Sequence, residues 1–115
     1  MDIKVDARPK GNGVTLIVLR GEIGAETINE FKTKMDEVIT SSVKNYVMDF
    51  QEVNYLNSVD IGVVAAALKK AKKNHGTIKV ANLSPAVAEL FELTRLTKVM
   101  EVFENEEEAL RSFEE

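Results

Sequence analysis

The sequence predicts an α/β domain with a mixed, mostly parallel sheet flanked by about four helices. Three observations carry that expectation. Short β-branched and aromatic runs alternate with stretches whose apolar residues recur at helical spacing. Turn clusters at Pro9-Lys10-Gly11-Asn12-Gly13 and Asn74-His75-Gly76 separate them. Two helix starts are written out as Ser84-Pro85 and as Asn105 before Glu106-Glu107-Glu108. The 115 residues are expected to form one domain, 1–115, with a single core.

Each element follows from local chemistry. Ile3, Val5 and Ala7 alternate with polar residues, giving a strand with one buried face. Residues 14–19 are apolar almost throughout, so the two segments should pair as an antiparallel hairpin with the first strand at the sheet edge. Residues 20–24 form a loop carrying two glycines. Ile28, Phe31, Met35, Val38 and Ile39 mark an amphipathic helix over about 25–40. Residues 46–50 read as a central strand covered on both faces.

The next helix is expected to take Ser58 as its N-cap and to run to about Lys73. Ile61, Val64, Leu68 and Ala71 form its stripe. Lys69, Lys70, Lys72 and Lys73 oppose the negative end of its dipole, and Gly76 is expected to cap it. Residues 77–81 form a strand. Val87, Leu90, Phe91 and Thr94 face a third helix inward, residues 99–103 make the last strand, and Ala109, Leu110 and Phe113 dock a terminal helix. The order is β-β-α-β-α-β-α-β-α, which implies parallel pairing through right-handed crossovers after the hairpin.

Composition excludes several classes of activity. Hydrophobic residues make up 44% and charged residues 30%, ordinary for a globular chain. A net charge of -4 without a basic cluster argues against direct nucleic-acid binding. The absence of cysteine and the single histidine, His75, remove thiolate and multi-histidine metal sites. The apolar run at 61–68 is far short of the roughly 20 residues of a membrane span. Residues 1–5 lack the apolar centre of a signal peptide, so no membrane insertion and a cytoplasmic location are expected.

Catalysis fares no better. A nucleophilic serine needs a base within hydrogen-bond reach. The helix between Ser58 and His75, at about 1.5 Å per residue, sets them roughly 25 Å apart. Gly11-Asn12-Gly13 is a hairpin turn, and Glu106-Glu107-Glu108 complements a helix dipole. No catalytic residue, metal or cofactor is expected. Ser58 remains, an alcohol where a strand gives way to a helix, at a helix end whose free N–H groups suit a phosphate. Taken alone, such a serine is most often only a cap.

The run Asn57-Ser58-Val59-Asp60-Ile61-Gly62 resembles the hallmark of the STAS domain family (sulphate transporters and anti-sigma-factor antagonists), and within it the single-domain anti-anti-sigma factors. That hallmark is Asp-Ser, a small residue, Gly, Leu and Gly at a helix start. Arg20-Gly21-Glu22-Ile23 is similar to the family's loop after the second strand. Asn82-Leu83-Ser84-Pro85-Ala86-Val87 with Leu90-Phe91 is similar to its third helix start, and Leu93, Leu96 and Val99 to its closing pattern, all three expected in the core.

The resemblance implies the STAS fold and a non-enzymatic anti-sigma factor antagonist. Ser58 would be the phosphoacceptor of an anti-sigma factor that is also a serine kinase, and a PP2C-type phosphatase would restore binding. Gly21, Glu22, Asn57, Ser58, Asp60 and Gly62 would form the partner surface. The chain departs from the family at Asn57 (usually Asp), Val59 (usually smaller) and Asp60 (usually Gly). An exposed Asp60 would repel a phosphate by about 1 kcal/mol. The alternative is a STAS binding subunit that is not phosphorylated, in a lipid-transport ATPase or a stress-signalling scaffold. Exposed sheet edges leave a homodimer open.

Overall fold

Chain reversal at Gly11-Asn12-Gly13 starts the sheet. All three residues have positive φ, which glycine adopts freely and asparagine tolerates. The computed structural model describes residues 3–21, 23 and 26–114. The reversal pairs β1 (Ile3–Pro9) antiparallel with β2 (Val14–Gly21), Pro9 opposite Thr15. Proline is tolerated there because β1 is an edge strand. The expected buried face of β1 fades along it: Ile3 is buried, Val5 half-buried and Ala7 exposed.

Three parallel pairings follow, with β3 (Asn45–Asp49), β4 (Thr77–Ala81) and β5 (Val102–Phe103), giving the order β1-β2-β3-β4-β5. β3 lies at the centre, and alternate side chains enter two cores. Tyr46 and Met48, followed by Phe50, pack with α1 (Ile28–Val38), α2 (Ser58–Lys73) and α3 (Pro85–Leu93). Val47 faces the other side with Val14, Leu16, Val18 and Ala81, under α4 (Glu106–Ser112). The Tyr46 hydroxyl accepts the Thr40 N–H at 3.0 Å and lies 3.0 Å from the Val43 carbonyl, so its polar tip is satisfied.

The rear core also contains a charge. Lys79 on β4 is buried beneath α4, with Nζ 2.8 Å from Ser112 Oγ and 4.1 Å from the Phe113 ring centre. Glu101 stands 3.6 Å away. An ammonium so placed keeps partners for its charge while its stem fills apolar space.

Four expectations need correction. The first helix is shorter than 25–40, because Ile39 turns to extended backbone at its end; residues 24 and 25 lie outside the described residues. The last strand shrinks to Val102–Phe103, preceded by a 3-10 turn at Leu96–Lys98 that Arg95 opens at φ 64°. The closing pattern also divides. Leu96 is buried, whereas Leu93 is 73% and Val99 54% exposed. Thr94 is exposed too, its hydroxyl donating to the Leu90 carbonyl at 2.8 Å.

The fourth concerns the end of α2. The left-handed residue is His75, at φ 67°, while Gly76 donates its N–H to Ala71 at 2.9 Å. Glycine is needed at 76 for another reason. A Cβ there would lie 1.6 Å from the Lys44 carbonyl oxygen.

Candidate partner-binding site at the start of α2

The segment between β3 and α2 is anchored before it reaches the surface. Phe50 donates its N–H to Ala81 at 3.0 Å and meets Phe91 edge-on at 5.6 Å. Asp49 Oδ1 accepts the Gln51 N–H at 2.9 Å and the Asn82 amide at 3.0 Å, tying β3 to the end of β4. From the rear, Glu106 of α4 shares a hydrogen bond with Asp49. That bond, burial and the Asp49 charge push the Glu106 carboxyl above its ordinary value, with Lys10 and Arg8 opposing. Val53 and Leu56 are then buried, which leaves Tyr55 between them standing out, 67% exposed.

The helix begins one residue earlier than the sequence suggests. Asn57 is the N-cap: its Oδ1 accepts the Asp60 N–H at 2.9 Å, and Asp60 Oδ2 accepts the Asn57 N–H at 2.9 Å. This reciprocal box satisfies two donors that a helix start otherwise leaves open. Ser58 is thus the first helical residue and not the cap. Its hydroxyl is exposed and, among the described residues, has no hydrogen-bond partner. The N–H groups of Ser58 and Val59 precede the first intrahelical bond, from Ile61 to Asn57 at 3.1 Å.

The remaining candidates divide. Gly62 is exposed one turn after Ser58. Gly21 is exposed at the end of β2, at φ 94°. An Arg20–Glu52 ion pair of 3.1 Å ties that strand end to the segment leading into α2. Glu22 lies outside the described residues. Asp60, expected on the surface as part of the partner face, is fully buried instead. The reason is the cap, which folds its carboxyl back beneath the turn. Burial raises its pKa, and the Asn57 N–H bond opposes that rise.

Sequence reasoning missed the apolar rim. Val59 is 61% exposed and, with Tyr55, leaves large apolar groups on either side of Ser58 in the chain. Val59 lies off the Ile61-Val64-Leu68 stripe, a signal that it faces outward. It also begins a groove of about 930 Å³ between α1 and α2, lined by Gly62, Val63, Ala66, Ile28 and Met35. An Asp36–Lys70 ion pair of 2.9 Å lies along that groove. A neutral hydroxyl among exposed apolar side chains is suited to burial against another protein. Among the described residues no cluster of acidic or histidine side chains could hold a metal, and no helix is long and apolar enough to cross a membrane.

Known proteins share this fold. The family model described as the STAS domain matches residues 7–109. The chain is similar to the anti-sigma F factor antagonist of Paenibacillus polymyxa, 27% identical over 89% of this chain and 88% of that protein. It is also similar to the anti-sigma-B factor antagonist of Bacillus subtilis strain 168, 26% identical over 89% of this chain and 92% of the relative. Among solved structures, an anti-sigma factor antagonist from Mycobacterium paratuberculosis superposes with a TM-score of 0.85. It is 26% identical, with 98% of this chain and 95% of that one covered.

Proposed function

The chain belongs to the STAS domain family, and on that premise we propose that it is an anti-sigma factor antagonist, a binding protein and not an enzyme. In this reading the unphosphorylated face at the start of α2 binds an anti-sigma factor that is also a serine kinase, in the cytoplasm, and so releases a sigma factor. The kinase ends binding by phosphorylating Ser58, and a PP2C-type phosphatase restores it.

One observation carries the reading: the Ser58 hydroxyl is exposed and unpaired at the first position of a long helix, with Tyr55 and Val59 exposed close by. Phosphorylation there adds about two negative charges. The free N–H groups and the helix dipole accommodate them without refolding. A partner surface fitted to an uncharged hydroxyl and apolar neighbours does not. The switch therefore works by desolvation and charge at an interface. Gly21, Glu22, Asn57 and Gly62 extend the contact in this reading.

The test is reconstitution with the cognate anti-sigma factor, followed by calorimetry and intact mass. The wild type should bind, then gain a phosphate and dissociate when ATP is added. Ser58→Ala should bind and stay bound, and Ser58→Glu should not bind. Binding that survives Ser58→Glu sinks the switch. A second reading has one observation in its favour, the carboxyl of Asp60 placed within the same turn as the hydroxyl. It is a phosphate-independent STAS subunit of a lipid-transport ATPase or a stress-signalling scaffold, and it predicts binding with no phosphate gained.

A further inference from the structure

The box at the head of α2 leaves one polar atom unmatched. Asp60 Oδ2 takes the Asn57 N–H, while Oδ1 is buried with no hydrogen-bond partner among the described residues. Buried oxygens of this kind are rare, and they are costly when the group is charged. Among the described residues, no ion pair or further hydrogen bond offsets that cost. The influences on Asp60 are burial and the Asn57 bond, and no charged side chain of β2, α1 or the segment before α2 figures among them. Of the charges those elements carry near this end, Arg20 is engaged with Glu52, and Glu26 is exposed. Ser58 stands two residues earlier in the same turn.

We propose that Asp60 is a proton site linked to Ser58, holding its proton to higher pH when Ser58 carries a phosphate than when it carries its hydroxyl. This rests on the reading of Ser58 as a phosphoacceptor and gives that site a second, buried partner. On phosphorylation the bond from Ser58 Oγ to phosphorus forms and the terminal phosphoanhydride of a nucleoside triphosphate breaks. The diphosphate leaves, and the hydroxyl proton is released. At pH values between its midpoints in the two forms, Asp60 takes up a proton from solvent, so the turn gains less negative charge than the phosphate brings. Oδ2 still accepts from Asn57, so the box stays closed. A phosphate next to a buried, ionised carboxylate would otherwise set two like charges at one helix start. The consequence is a switch sensitive to pH: the phosphorylated form gains stability, relative to the hydroxyl form, as pH falls.

Phosphoserine installed at position 58 during translation tests this without any kinase. Carboxyl-carbon NMR follows Asp60, and phosphorus NMR follows the phosphate, from about pH 4 to about pH 8. The Asp60 midpoint should lie at higher pH in the phosphoserine protein than in the hydroxyl protein. Asp60→Asn, in the phosphoserine protein, should move the phosphate midpoint to lower pH, because linkage is reciprocal. Equal Asp60 midpoints in the two proteins overturn the proposal, as does an Asp60 amide freed from its cap by the phosphate. If Asp60→Asn does not fold, the carbon titration of the two parent proteins decides alone. A kinase that ignores Ser58 would sink the proposed function while this measurement still reads the linkage.

Discussion

Asn57 and Asp60 hold each other at the head of α2, each backbone N–H donating to the other's side chain at 2.9 Å. The cap therefore does not use the residue between them that carries the free hydroxyl. Ser58 is positioned by its neighbours and owes nothing to the backbone, so its alcohol can be altered without dismantling the helix start.

The cap should be measurable on its own. Asn57→Ala removes the acceptor for the Asp60 N–H and is expected to cost about 1 kcal/mol of stability. Urea unfolding checks it. Ser58→Ala in the same assay should change stability by less than about 0.5 kcal/mol, since that side chain bonds to nothing described.

At the rear of the sheet, Glu106 makes stability depend on pH. Its folded-state value is raised above the ordinary 4.5, by the bond to Asp49 first and by burial next. The folded protein thus holds this proton more tightly than the unfolded chain does. The contribution is complete below 4.5 and is lost as pH rises through the folded-state value. Glu106→Gln keeps a donor for Asp49 and removes the titration. Its unfolding free energy should gain on the wild type as pH rises across that window, by up to about 1 kcal/mol.

Two adjacent residues after α2 should respond in opposite directions. Gly76→Ala drives a methyl into the Lys44 carbonyl and is expected to cost about 2 kcal/mol or more. His75→Gly relieves a left-handed backbone, φ 67°, and should stabilise by a few tenths to about 1 kcal/mol. Thermal melts of the two variants would separate close approach from backbone conformation.

Tyr55 should matter to the partner and not to the fold. At 67% exposed it contributes little to the core, so Tyr55→Ala should shift unfolding by less than about 0.5 kcal/mol. Affinity for the anti-sigma factor should fall about tenfold or more, as for an aromatic anchor in an interface. Calorimetry on the complex measures both the loss and its heat.

Much of this was legible beforehand because strands covered on both faces and a helix with a full apolar stripe leave strong periodic signals. Tyr46 to Phe50 and Ile61 to Ala71 are such runs. The cap was harder, since asparagine and serine are both good N-caps and stand side by side. Asp60, three residues after Asn57, was the signal that favours Asn57. Leu93 and Val99 misled because the whole closing pattern was read as core, whereas Leu93 ends α3 on an exposed face and Val99 follows the left-handed turn at Arg95. The need for Gly76 depends on Lys44, remote in sequence, and local pattern holds no record of that approach. Asp60 looked like a surface charge because the box its spacing from Asn57 allows does not by itself say how deeply the carboxyl is buried.

The sheet's simple order has a consequence for how the molecule is made. Every strand borders the one preceding it in the chain, so a polypeptide leaving the ribosome never has to hold a gap for a strand yet to come. Each new segment extends an edge already in place, and α4 arrives after β5 to cover the rear. Until it does, the ammonium of Lys79 remains in water and the back of the sheet stays open, which makes that last helix the step at which a newborn chain stops offering an apolar surface to its neighbours.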